Sequence, residues 1–190
     1  MAKKKFYVTT AIDYVNSSPH IGHAFEKVLA DAIIRWHKLN GESVYFLTGT
    51  DENAQKNAQA AKLAGIPVQK FVDKNSQIFI ELCRKLNIDY SRFIRTTEAE
   101  HKKINHEIFK KVYDKGEIYK GKYEGLYCTG CEAYITEKDM VDGKCPEHNK
   151  VPEYMSEDAY FFKLSLYREK LIKFIRNYII PESKKNEILS

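Results

Sequence analysis

Two strand-like runs separated by one helix length leave this chain few options. Lys5-Phe6-Tyr7-Val8-Thr9-Thr10 and Ser43-Val44-Tyr45-Phe46-Leu47-Thr48 are rich in β-branched and aromatic residues. Between them Ile21, Phe25, Val28, Leu29, Ala32, Ile33 and Trp36 recur at helical spacing, with Glu26, Lys27, Asp31, Arg35 and Lys38 assigned to the other side. Asn16, Ser17 and Ser18 are capping and turn types and Pro19 suits a first helical turn, while Asn40-Gly41 supplies a left-handed stop. Strand, helix and strand of these lengths form a βαβ unit, so the sheet is expected to be parallel, with functional residues at the carboxyl ends of its strands. Two such ends are predicted, the loop Ala11 to Ser18 and the segment Gly49-Thr50-Asp51-Glu52-Asn53.

At 190 residues the chain can bury one sizeable core and a small appended module. Its 31 Lys and Arg against 26 Asp and Glu give a formal charge of +5, a sign that suits a phosphate-rich partner without demanding one. No apolar run approaches the ~20 residues that span a bilayer, and Met1-Ala2-Lys3-Lys4-Lys5 leads into the first strand without a signal-peptide core, so no membrane is expected and the cytoplasm is the expected compartment.

The start of the first helix carries the chemistry. A helix N-terminus offers unpaired N–H groups and partial positive charge, a natural place for phosphate. His20 and His23, three apart, lie together on the first turn as hydrogen-bond donors, and Gly22 between them lets a flat ring or ribose approach the backbone. At the second strand end, the Asp51 carboxylate is placed either to meet a ligand ammonium group or to cap the next helix.

His20-Ile21-Gly22-His23, with Thr9 to Asn16 before it and Ala24-Phe25-Glu26-Lys27 after it, resembles the signature region of the methionyl-tRNA synthetase family of class I aminoacyl-tRNA synthetases. The resemblance implies that His20, Gly22 and His23 bind ATP, with His20 and His23 as the catalytic pair. It also implies that Ala11, Ile12 and Tyr14 line a pocket for L-methionine, whose amino group Asp51 contacts. The family form continues Asp-Glu-His-Gly, whereas here Asp51-Glu52 is followed by Asn53-Ala54.

Further along, 57–64 reads as a short Ala-rich helix and 68–86 as a packing helix carrying Phe71, Ile78, Phe79, Leu82 and Leu86, interrupted by Asn75. Cys83 within it is read as a small buried apolar residue. A turn into a short strand covers 88–97, and a helix from Glu98 to about Lys115 should turn Ile104, Ile108, Phe109 and Val112 inward. Ile118 to Tyr127, mixing Tyr, Gly and Lys, reads as a hairpin, followed by a short strand Ala133 to Thr136 and a turn at Asp142-Gly143. These deliver Cys128-Thr129-Gly130-Cys131 and Cys145-Pro146-Glu147-His148, two ligand pairs whose spacing suits tetrahedral Zn2+. Three thiolates and one imidazole close the site, so the metal is expected to be structural, supplying folding energy that a module of about 35 residues lacks. The resemblance implies that 158–164 is the strand returning from the knuckle and 166–180 the helix beyond it.

The fold class expected is α/β: the first half of a Rossmann-like parallel-sheet nucleotide-binding domain over 1–115, and a connective insertion over 116–190 with a zinc knuckle at 128–148, incomplete at its C-terminus. The resemblance implies a methionine–tRNA ligase: activation of methionine with ATP and Mg2+ to methionyl-adenylate, then transfer to the acceptor end of tRNA(Met). No match to the family's second βαβ half, its Lys-Met-Ser-Lys-Ser type loop or its anticodon-binding domain is present, so this chain, without the C-terminal half of the enzyme, is expected to be inactive or weakly active alone. Two alternatives remain at this point: a class I synthetase for leucine, isoleucine, valine or cysteine, and a non-catalytic tRNA-binding or assembly module.

Overall fold

The computed structural model describes residues 4–190. The start of the lysine-rich segment read as lacking a leader, Met1 to Lys3, lies outside them. The described residues up to His106 form one compact unit and Glu107–Ser190 a second.

In the first unit, β1 (Lys5–Tyr14), β2 (Ser43–Asp51) and β3 (Arg92–Arg95) form a parallel sheet in the order β1-β2-β3. Helix α1 (Ile21–Leu39) connects β1 to β2, and α2 (Gln55–Leu63) and α3 (Val68–Lys85) connect β2 to β3. This is the parallel, Rossmann-like α/β arrangement that the βαβ pattern demands. The core lies between α1, α3 and the sheet, with Ile34, Phe46 and Cys83 fully buried together and Val15, Val72 and Phe79 in a neighbouring cluster. Cys83 is buried as its place in an apolar pattern implies, and burial raises its thiol pKa.

Three expectations about this unit are corrected. First, β1 does not end at Thr10; it runs to Tyr14 through a register break between Thr9 and Ile12. The bulge is stable because Glu26 accepts a hydrogen bond from the Ala11 N–H at 2.8 Å, and the Thr10 and Thr48 hydroxyls meet at 2.7 Å. Second, α1 starts at Ile21 with His20 as its N-cap, so neither the Asn-Ser-Ser segment nor Pro19 opens it. Third, the faces of α1 differ from those read by periodicity. The residues buried are Lys27, Ala30, Asp31 and Ile34, whereas Phe25, Leu29 and Trp36 are more than half exposed. The stripe at 27, 30, 31 and 34 is itself helically spaced; it escapes a hydrophobicity count because its charged members are neutralised by partners, Lys27 by Asp13 and Asp31 by Arg35 at 2.6 Å.

The same correction applies to Asn75 on α3, which is buried because its amide donates to the Val15 carbonyl at 2.6 Å. Ile78 and Leu86, expected inward, are over a third exposed. On α4 (Ala99–Asp114), which crosses from the first unit into the second, Ile104, Ile108 and Phe109 are likewise exposed to 40% or more.

The second unit is an antiparallel sheet in the order β5-β4-β6, from β4 (Ile118–Cys128), β5 (Ala133–Ile135) and β6 (Glu153–Phe162), followed by α5 (Arg168–Tyr178) and α6 (Glu182–Leu189). The segment expected to be a hairpin is one long strand that pairs with β6 along ten residues. Its glycines are used for close packing: a Cβ at Gly121 would lie 3.0 Å from the Phe161 ring, and one at Gly125 would lie 3.2 Å from the Tyr134 ring.

Candidate active site and metal centre

The first βα connection is built by its own histidines. His20 Nδ1 accepts from the Gly22 N–H at 3.1 Å, and His23 Nδ1 accepts from the His20 N–H at 3.0 Å. This is a reciprocal capping box in which imidazoles replace the usual hydroxyl and carboxylate. Glycine is needed at 22, since a Cβ there would lie 2.9 Å from the folded-back His20 ring. The rings lie 3.8 Å apart between centroids. With each Nδ1 an acceptor, the proton of each neutral ring sits on Nε2, where it can be donated to a ligand.

His23 is only 19% exposed and lies edge-on to Phe79 at 5.3 Å. Burial lowers its pKa below the ordinary imidazole value; Asp13 opposes that effect, and His20 and Lys27 add to it. Asp13 Oδ1 stands 3.8 Å from His23 Nε2, and its other carboxylate oxygen receives the fully buried Lys27 ammonium. Asp13, Glu26 and Lys27 lie in the flanks of the motif but receive no role from it; the further signal is that Lys27, four residues from His23, belongs to the buried helical stripe.

Alternation along β1 turns Asp13 to one face and Ile12 and Tyr14 to the other, where both are 39% exposed. Parallel pairing sets Ile12 beside Gly49 and Tyr14 beside Asp51, so three of the residues expected to contact methionine meet at the carboxyl ends of adjacent strands. Ala11 sits at the bulge just before them, and the Lys56 ammonium lies 5.4 Å from the centre of the Tyr14 ring.

Asp51 does not cap the next helix. Its carboxylate accepts from the Asn53 N–H at 3.2 Å, and the N-cap of α2 is Ala54, without a side-chain bond. Two buried residues hold its backbone, neither found by sequence reasoning. Asn57 donates to the Asp51 carbonyl at 3.0 Å. Glu52 has its N–H bonded to Thr96 Oγ1 at 2.8 Å and its carboxylate gripped by Arg95 at 2.7 and 3.0 Å and by the Thr50 and Thr97 hydroxyls. That grip raises the Arg95 pKa, so its charge is permanent.

In the second unit, Cys128, Cys131, Cys145 and His148 converge, with all ligand atoms within 4.8 Å of one another. Cys131 Sγ lies 3.4 Å from Cys145 Sγ and 3.2 Å from His148 Nδ1, and Cys145 Sγ lies 3.8 Å from that nitrogen. Edges of about 3.8 Å between sulfurs and about 3.5 Å from sulfur to nitrogen follow from tetrahedral bonds of ~2.3 Å and ~2.0 Å, so the donors fit a metal such as zinc through His148 Nδ1. Gly130 makes room, since a Cβ there would lie 2.4 Å from the His148 ring. Backbone N–H groups of the Cys-Thr-Gly-Cys turn lower the Cys128 pKa, whereas hydrogen bonding to Cys145 and burial push the Cys131 thiol up to about 12.

The parallel sheet with a donor-lined helix N-terminus at its carboxyl edge is a nucleotide-binding architecture. Comparison with known proteins narrows this. Residues 6–150 match the family of class I tRNA synthetases of the methionine type, described as tRNA synthetases class I (M). Among curated proteins, a methionine–tRNA ligase of Clostridium perfringens is 47% identical over all of this chain and 30% of its own length, and that of Deinococcus radiodurans is 43% identical over 98% and 29%. Among solved structures, the Mycobacterium tuberculosis methionyl-tRNA synthetase in complex with methionyl-adenylate superposes with a TM-score of 0.90 at 40% identity, covering 98% of this chain and 38% of that one. The chain therefore belongs to the methionine-type class I tRNA synthetase family. It spans about 30% of the length of the curated relatives it matches.

Proposed function

We propose that this chain carries the ATP- and methionine-binding half-site of a methionine–tRNA ligase, which activates L-methionine to methionyl-adenylate and passes the methionyl group to the acceptor end of tRNA(Met). The observation that carries this reading is the orientation of the two histidines. With both Nδ1 atoms turned back into the helix cap, two Nε2–H donors are left for phosphate. They act by charge stabilisation, as phosphoryl transfer requires, and the lowered pKa of His23 suits a neutral donor rather than a general acid.

In this reading His20, Gly22 and His23 bind ATP, with His20 and His23 as the catalytic donors. Ile12, Tyr14 and the backbone at Ala11 line the methionine side chain, and Asp51 accepts from the substrate ammonium. The Glu52 and Asn57 anchors hold Asp51 in register for that contact. No adenosine contact is assigned to position 53, where Asn replaces the family's histidine. Mg2+ would accompany ATP and neutralise the leaving pyrophosphate. Zn2+ on Cys128, Cys131, Cys145 and His148 would be structural, since four protein ligands leave it no open position.

The proposed domain division is a catalytic half over 1–115 and a connective insertion over 116–190. The C-terminal remainder of the enzyme would be the partner that completes catalysis. A cytoplasmic location is proposed from the likeness to methionine–tRNA ligases. Separately, among the described residues no helix is long and apolar enough to cross a membrane.

The test is calorimetric titration of the zinc-loaded chain with a non-hydrolysable methionyl-adenylate analogue and with the same compound lacking its α-amino group. Asp51→Ala should weaken the amino-bearing ligand about 10- to 100-fold, the range of a hydrogen bond to a charged group, and leave the deaminated ligand unchanged. Equal weakening of both would remove Asp51 from amino-group recognition.

A further inference from the structure

Lys27 is fully buried and among the largest buried side chains of the described residues, and no ATP or methionine contact is assigned to it. An ammonium group at 0% exposure is retained only when a counter-charge meets it, and Asp13, 6% exposed, is that partner. The pair spans β1 and the second turn of α1, and the opposite oxygen of the same carboxylate faces His23 Nε2 at 3.8 Å. Asp13 therefore stands between two groups, the Lys27 amine that donates to one carboxylate oxygen and the His23 imidazole beside the other.

We infer that Lys27 is a positioning residue for His23: by holding and neutralising Asp13, it keeps that carboxylate from drawing a proton onto the imidazole and leaves the Nε2–H free for a ligand. The inference rests on the reading of His23 as a phosphate donor. The groups that face His23 are few. From β1 there is Asp13; from α1 there are His20, Glu26 and Lys27; from α3 there is the Phe79 ring. The Cys83 thiol of α3, within the field of both Asp13 and Lys27, is raised by burial and carries no charge at neutral pH.

If Lys27 were absent, Asp13 would be a bare buried carboxylate beside an imidazole. The least costly response is protonation of His23, giving an imidazolium whose Nε2–H is aimed at Asp13. Such a histidine is turned from ligand to protein. With Lys27 present, the carboxylate is already satisfied, and Nδ1 stays an acceptor for the His20 N–H that closes the helix cap.

The experiment is an NMR titration of the histidine ring resonances in the zinc-loaded chain, comparing the natural protein with Lys27→Gln and Asp13→Asn. Each substitution keeps a hydrogen-bonding partner for the residue left behind and removes one charge. Lys27→Gln should raise the His23 midpoint by about 1 pH unit or more, the size expected of an unscreened charge at this distance, while Asp13→Asn should lower it. His106, exposed on α4, is the internal control and should not move. A merely structural Lys27 would alter stability without moving the two midpoints in opposite directions. An unchanged His23 midpoint in whichever variant folds would overturn the proposal, as would a shift of the same sign in both. Binding of the methionyl-adenylate analogue to the unsubstituted chain separates the two claims, since its absence would refute the phosphate reading while the His23 response would still test the charge relation.

Discussion

A methyl group at position 49 would lie 2.1 Å from the Ile94 carbonyl oxygen and 2.6 Å from its Cγ2 atom, so β2 and β3 can approach as they do only because residue 49 is glycine. Gly49 pairs with Ile94 two residues before Asp51, and the strand contact it permits aligns Glu52 with Thr96 and Arg95. Gly49→Ala should destabilise the first unit by about 1–3 kcal/mol, the usual penalty of overpacking, because the clash is with backbone rather than with a flexible tip. Urea unfolding followed by circular dichroism measures this, and an unchanged midpoint would show that the strands can separate without loss. Sequence alone points to Gly49 only as part of a strand end. The reason for its smallness lies in a partner 45 residues away, which no local pattern encodes.

Elements differ in how far their sequence announces them. The βαβ order, the stop at Gly41 with its φ of 76°, and the four metal donors were legible, because each depends on local conformation or short spacing. The orientation of α1 was not, because hydrophobic spacing identifies a helix without saying which stripe meets the sheet, and here two ion-paired residues share that stripe. The extension of β1 to Tyr14 was hidden for a similar reason, since it depends on Glu26 reaching back to the bulge at Ala11. At the site, the histidine pair and Asp51 were visible as motif residues, whereas Lys27, Glu52 and Asn57 are buried and act through partners on other elements. The knuckle provides the prediction at this scale. Chelation of the metal should unfold the hairpin β4 to β5 and the Cys145–His148 turn while the parallel sheet of the first unit persists. Hydrogen exchange measured before and after chelation reads the two units separately. Protection lost equally in β1 and β2 would contradict the assignment of the metal to the second unit's stability alone.

At the scale of the whole molecule, the proposed assignments fall separately on the two units. The first gathers every residue assigned to ATP and methionine, from Ala11 to Asp51, along two adjacent parallel strands and the helix between them. The second gathers the metal donors and holds none of those residues. A large apolar part of α1, including Phe25 and Trp36, is exposed in this chain, which spans about 30% of its curated relatives' length. In the reading proposed above, the described residues contain a methionine-selective adenylate site. The most direct measurement is calorimetric titration of the zinc-loaded chain with non-hydrolysable methionyl-, leucyl- and cysteinyl-adenylate analogues side by side. The account predicts that the methionyl compound binds at least about 10-fold more tightly than the other two, a preference within reach of ~1–3 kcal/mol of pocket discrimination. Equal binding of all three would leave a nucleotide site without methionine specificity, and no binding of any by the folded, metal-loaded chain would contradict the account.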